Sequence, residues 1–181
     1  MPSSPVSSRR FTVSEYEQLG DAGILDPEER VELLDGLVVP MSPAGSYHAA
    51  MVDRISRAFH REDKHLIVRT QGPIQLSVMS QPEPDVSILR PRDDFYAESH
   101  PGPRDVLLAI EVSDTTFIKD RYVKSVLYAE AGIEEYWIVD LASDRIIVLR
   151  GPARSGYRDV SEFDVGIVLA PALLSNTRVR W

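Results

Sequence analysis

The sequence has no cysteine. That excludes disulfides, thiolate metal sites and cysteine nucleophiles, and it suits a reducing compartment. Any metal bound by this chain must be held by oxygen or imidazole. Long apolar runs are also missing. Nothing approaches the roughly 20 consecutive apolar residues of a membrane helix, and the opening MPSSPVSSRRF lacks the apolar core of a secretory signal. The expectation is a cytoplasmic protein with no membrane contact. Positive charge is scarce: 20 Lys and Arg stand against 28 Asp and Glu, a net charge of −8 at pH 7. This balance argues against a broadly cationic nucleic-acid surface, since phosphate contacts supply most non-specific affinity for nucleic acids. Internal repeats are absent too, which sets aside solenoids and arrays.

What is present is an ordinary globular composition, 43% apolar and 27% charged over 181 residues, enough for one domain with a real core. Residues 1–10, rich in Ser and Pro, are expected to form a flexible tail ahead of a domain spanning 11–181. Thr12 or Ser14 can cap a short helix that ends near Ala22. Residues 30–41 read as two short strands around Asp35-Gly36, a dipeptide suited to the positive φ angles of a tight hairpin. His48, Val52, Ile55 and Phe59 recur at spacings of four, three and four, which sets them on one face of a helix over about 46–62. Strands are expected at 66–70, 74–78, 85–89 and 106–112, with the proline-rich segment 90–103 as a surface loop. A helix over 120–131 stops at Gly132, and strands at 135–140 and 145–149 follow. The remaining tail to Trp181 is weakly patterned. The whole reads as mixed α/β.

Two acids lie within otherwise apolar strands: Asp85 in PEPDVSIL and Glu111 in VLLAIEV. A carboxylate taken out of water costs several kcal/mol unless it is paired or coordinates a metal, so the two together ask for a shared cation. Mg²⁺, or Mn²⁺ in its place, suits an all-oxygen donor set. Either acid alone is as readily a solvated strand end or a structural salt bridge. Asp120, Lys124 and Tyr128 fall four apart and project from one helix face, with Asp120 and Lys124 spaced as an i,i+4 ion pair. Trp137 in EYWIVD reads as core. Arg54, Arg57 and Arg61 could meet a DNA backbone, although a solvated helix face is the plainer reading.

ELLDG from Glu32 to Gly36, PEPDVSIL around Asp85, AIEVSDTT, the D-x-x-x-K of Asp120 and Lys124, and YAEAGIEEYWIVD occur in an order and spacing that resembles the Uma-type restriction endonuclease family. That family lies in the PD-(D/E)XK nuclease superfamily, and the resemblance runs over about residues 11–174. It implies a restriction-endonuclease-like α/β fold, a mixed β-sheet core flanked by helices. It also implies that Pro84-Asp85 is the PD element, that Glu111 is the second acidic ligand, and that the backbone carbonyl of Val112 is a further metal contact. Ser113 stands where the superfamily pattern has its lysine, and the resemblance assigns that role to Lys124 from the following helix. Glu32 resembles the additional acid that serves a second metal or positions water. His48 matches a histidine at the start of the family's helix, which could bind phosphate, shuttle a proton or touch metal-bound water.

The function so implied is metal-dependent hydrolysis of DNA phosphodiester bonds, with Asp85, Glu111, Lys124, Glu32 and His48 as catalytic candidates and Asp85, Glu111 and Val112 as metal ligands. DNA is the implied partner. A homodimer would let one site per chain reach both strands of a duplex. The alternative is a catalytically silent nuclease-fold module that binds DNA or regulates. A weaker third reading, hydrolysis of a small phosphate ester, would need no extended basic surface.

Overall fold

The computed structural model describes residues 8–26, 28–174 and 176–180. Most of the expected tail, residues 1–7, and the terminal Trp181 lie outside the described residues. Arg9 and Arg10 lie inside them and form ion pairs with Glu15 and Asp35.

Helix α1 (Val13–Asp21) starts where Thr12 accepts from the Glu15 N–H while the Glu15 side chain returns to the Thr12 N–H, a reciprocal cap that satisfies two orphan donors. A two-stranded antiparallel hairpin follows, β1 (Val31–Leu34) and β2 (Leu37–Pro40). Its turn holds Asp35 at φ 47° and Gly36 at φ 76°, the positive angles that the Asp-Gly dipeptide tolerates. Helix α2 (Ser46–Glu62) buries Met51, Val52, Ile55 and Phe59, the face set by the apolar spacing; each such side chain contributes roughly 1.5–3 kcal/mol. Arg54, Arg57 and Arg61 lie on its exposed side.

The main sheet has six strands in the order β3 (Ile67–Thr70), β4 (Val86–Leu89), β5 (Val106–Ser113), β6 (Glu135–Asp140), β7 (Arg145–Ala153) and β8 (Gly156–Asp164). Only β5 and β6 run parallel. Their crossover is helical: α3 (Phe117–Lys119), a π-helical turn (Asp120–Lys124) and α4 (Ser125–Glu130). Every residue of β5 is buried, as a near-continuous apolar run demands of a central strand covered on both faces. Val86, Ile88, Leu108, Ile110 and Trp137 pack with α2 on one face, and Phe59 meets Trp137 ring to ring at 6.2 Å. Ala109, Tyr136 and Ile138 pack with Tyr128 of α4 on the other. Among the described residues no helix is long and apolar enough to cross a membrane.

Three expectations need correction. Residues 74–78 are not a regular strand: Ile74, Gln75 and Leu76 donate to Pro82, Pro101 and Ser80 in turn, so Ile74 and Leu76 are buried in an irregular turn while Val78 is exposed. Strand β8 falls in the segment read as weakly patterned tail; its middle is exposed and only Tyr157 and Phe163 pack against the core, so no alternation marks it. The crossover helix begins at Phe117 and is π-helical through Asp120–Lys124, so α-helical counting misplaces its side chains.

A Cβ on Gly36 would sit 2.6 Å from Arg10 Cβ and 2.7 Å from Met79 Cε, at a positive φ. Gly36→Ala is expected to lower unfolding stability by about 1–3 kcal/mol in urea titrations. Gly20→Ala, within α1 and facing open space, is expected to leave stability unchanged or raise it by up to about 1 kcal/mol. Equal effects at the two glycines would show that the hairpin turn is not under the constraint described.

Candidate active site

Strands β4 and β5 bring the two strand acids together. Their register pairs Val86 with Ile110, and one residue further along it sets Asp85 opposite Glu111. Asp85 Oδ2 accepts the Val112 N–H at 2.8 Å and meets His48 Nε2, from the first turn of α2, at 3.1 Å. Glu111 Oε1 accepts from Lys124 Nζ at 2.8 Å and from the Tyr128 hydroxyl at 3.0 Å. The hairpin delivers Glu32 from the other side, with Oε2 2.9 Å from Lys124 Nζ and Oε1 2.8 Å from Lys119 Nζ.

All five catalytic candidates thus meet. His48, Asp85, Glu111, Val112 and Lys124 line a cavity of about 220 Å³, whereas Glu32 lies behind the two lysines and does not reach its wall. Lys119, which sequence reasoning passed over, lines the cavity as well. It and Lys124 are five residues apart. In an α-helix, with about 100° per residue, that spacing would separate them by roughly 140° around the axis. The π-turn, closed by the Ser125 N–H on the Asp120 carbonyl, turns both to Glu32.

The same turn redirects Asp120. Its Oδ2 accepts from Ser113 Oγ at 2.7 Å and Thr116 Oγ1 at 2.5 Å. The expected Asp120–Lys124 pair does not form, because Lys124 is taken by Glu111 and Glu32. Ser113 anchors the crossover helix through its bond to Asp120.

The donor chemistry fits a hard divalent cation. Among the described residues both contacts of Asp85 use Oδ2 and both of Glu111 use Oε1, so Oδ1 and Oε2 accept no hydrogen bond. The Ser113 carbonyl accepts from Leu141 on the β6 side. Strand alternation therefore turns the Val112 carbonyl toward the β4 edge, beside Asp85. No group of three or more acidic or imidazole side chains among the described residues is arranged to hold a metal. An ion here would keep several waters, as Mg²⁺ does.

The model of the Uma2 family, described as "putative restriction endonuclease", matches residues 13–178. The chain belongs to the Uma2 family. A solved structure from Anabaena variabilis, titled a "putative nuclease", superimposes with a TM-score of 0.68 and 15% identity over 94% of each chain, a likeness of fold. No curated protein matches the sequence.

Electrostatically this Uma2 site mixes acids and bases: Asp85, Glu111, Asp114 and Asp120 line the cavity with Arg30, His48, Lys119 and Lys124. Burial raises the Glu111 carboxyl well above its ordinary range; Lys124 opposes that, while Asp120, Asp85 and Glu32 add to it. Burial would lower Lys124, but Glu111, Glu32 and Asp120 outweigh it and hold the ammonium charged. Burial likewise pushes Glu32 up, and Lys124 and Lys119 bring it below the usual value. The hydrogen bond to Asp85 raises His48 above 6.5 against burial, and Asp85 falls below 3.8 because His48 and the Val112 N–H outweigh its desolvation.

These directions set the sign of a pH effect in EDTA. The His48 contribution is fully present below 6.5 and is lost as pH rises through its raised value. The Asp85 contribution is present above 3.8 and is lost as pH falls through its lowered value. The melting-temperature gap between wild type and His48→Gln should therefore be widest between these limits and should narrow toward about pH 9. A gap that widens toward alkaline pH would contradict the assignment.

Proposed function

We propose that this Uma2 protein is a metal-dependent endonuclease that hydrolyses DNA phosphodiester bonds. The observation that carries the reading is the convergence of Asp85, Glu111 and Lys124 on one cavity, with a carboxylate oxygen of each acid free of hydrogen bonds among the described residues. The family description supports the reaction class.

In this reading Asp85, Glu111 and the Val112 carbonyl hold Mg²⁺ or Mn²⁺. When bound, the ion supplies Lewis acidity at the scissile phosphate. The reaction consumes one water. A new P–O bond forms to the water oxygen, the bond to the leaving oxygen breaks, and a proton passes from the water to solvent while the leaving oxygen takes one up. Lys124, held charged between Glu111 and Glu32, offsets negative charge growing on the phosphoryl oxygens. Tyr128 fixes Glu111, and Glu32 orients the lysine from behind the cavity wall. His48 orients Asp85 through Nε2 at the cavity wall. A two-fold dimer would give one such site to each strand of a duplex.

Purified protein is expected to cut supercoiled plasmid or single-stranded DNA with Mg²⁺ or Mn²⁺ and not with EDTA. Asp85→Ala and Lys124→Ala are each expected to lose roughly 10²-fold or more of the rate. Cutting that persists in both variants would point to a contaminant, and no cutting by wild type would favour a silent DNA-binding module. Independently of turnover, Mn²⁺ should raise the melting temperature of wild type and leave Asp85→Ala unmoved. A wild type indifferent to Mn²⁺ would count against the metal site.

A further inference from the structure

Glu32 is the acid expected to serve a second metal, yet both of its oxygens are engaged. Lys119 Nζ donates to Oε1, while Lys124 Nζ and the Glu83 N–H reach Oε2 at 2.9 and 3.2 Å. Its side chain is 0% exposed, so a second ion could reach it only by displacing a lysine. The two lysines differ in access. Both line the cavity, but Lys124 meets it with only 2% of its side chain exposed, whereas Lys119 is 21% exposed. An ammonium has three donors, and Lys119 spends one on Glu32. The others remain for a ligand entering the cavity.

We propose that Lys119 is a second phosphate-contacting cation of this site, taking the place that a second metal ion has in two-metal nucleases, so that one divalent ion per chain suffices. The inference rests on the nuclease reading above. A two-metal site flanks the phosphate with charge on both the attacking and the leaving side. Here a single ion on Asp85 and Glu111 would supply one side, and a flexible ammonium, a compact point charge that adjusts to a moving oxygen, would supply the other. Glu32 is then a positioning residue for both lysines. The π-turn is the local device that makes this possible, because it presents residues 119 and 124 to one carboxylate.

The test uses full-length wild type, Lys119→Met and Lys119→Arg, with two readouts that need no turnover. Binding of a fluorescent duplex oligonucleotide in Ca²⁺ is followed across salt concentration, and bound Mn²⁺ is counted by electron paramagnetic resonance. Removing one phosphate contact should flatten the log K against log salt slope by roughly 0.9 in Lys119→Met, and Lys119→Arg should restore it. Wild type and Lys119→Met should each bind one Mn²⁺ per chain. In plasmid cleavage, Lys119→Met should lose roughly 10²-fold in rate, with a partial return in Lys119→Arg. An unchanged salt slope, a second Mn²⁺ in wild type, or wild type that does not bind the duplex overturns the inference. If the slope changes as expected but wild type never cleaves, the nuclease reading fails while the phosphate contact stands.

Discussion

The contact between Lys124 Nζ and Glu111 Oε1, 2.8 Å long, joins the central strand to the crossover helix where both side chains are almost sealed from water. A buried ion pair offsets the desolvation of its charges only when further partners satisfy them, and removing one partner strands the other at a cost of about 3–5 kcal/mol. The neighbouring interactions follow that requirement. Tyr128 donates to Glu111, Glu32 takes the far side of Lys124, and Lys119 takes the far side of Glu32. The hairpin, the central strand and the helix are thereby tied through one chain of alternating charge.

That chain also bears on how an acidic protein could receive a phosphodiester. With a net charge of −8, the molecule as a whole repels polyanions. Within the cavity the balance is different, because Lys119, Lys124 and a readily protonated His48 stand among the acids at close range. Short-range charge acts inside a Debye length of about 8–10 Å, where the distant surface counts for little. The exposed arginines of α2 lie outside this cavity.

Much of the fold was legible because its signals are local. Asp35-Gly36 marks the hairpin through the backbone angles it tolerates, and the α2 boundaries follow from the apolar spacing that begins at His48. The signals failed where burial and regular structure part company. Ile74 and Leu76 alternate like strand residues but are packed into a turn, and β8 is a strand exposed along most of its length. Trp137 was readable as core because EYWIVD supplies two buried faces at once, one meeting Phe59 and the other Tyr128.

For the site, the sequence by itself determined the inventory: two acids expensive enough in apolar strands to ask for a cation, a lysine in the next helix, an acid in the hairpin, a histidine at a helix start, and the order of motifs that marks the Uma2 family. It could not determine who pairs with whom. Asp120 and Lys124 satisfy the i,i+4 rule and yet go to different partners, because a π-turn widens the helix between them. Lys119 and Glu32 are 87 residues apart and touch only because the hairpin packs against the crossover. Periodicity reports on neighbours along one element; pairing between elements is decided by layer packing and by the cost of leaving a buried charge alone, and both exist only in the folded chain.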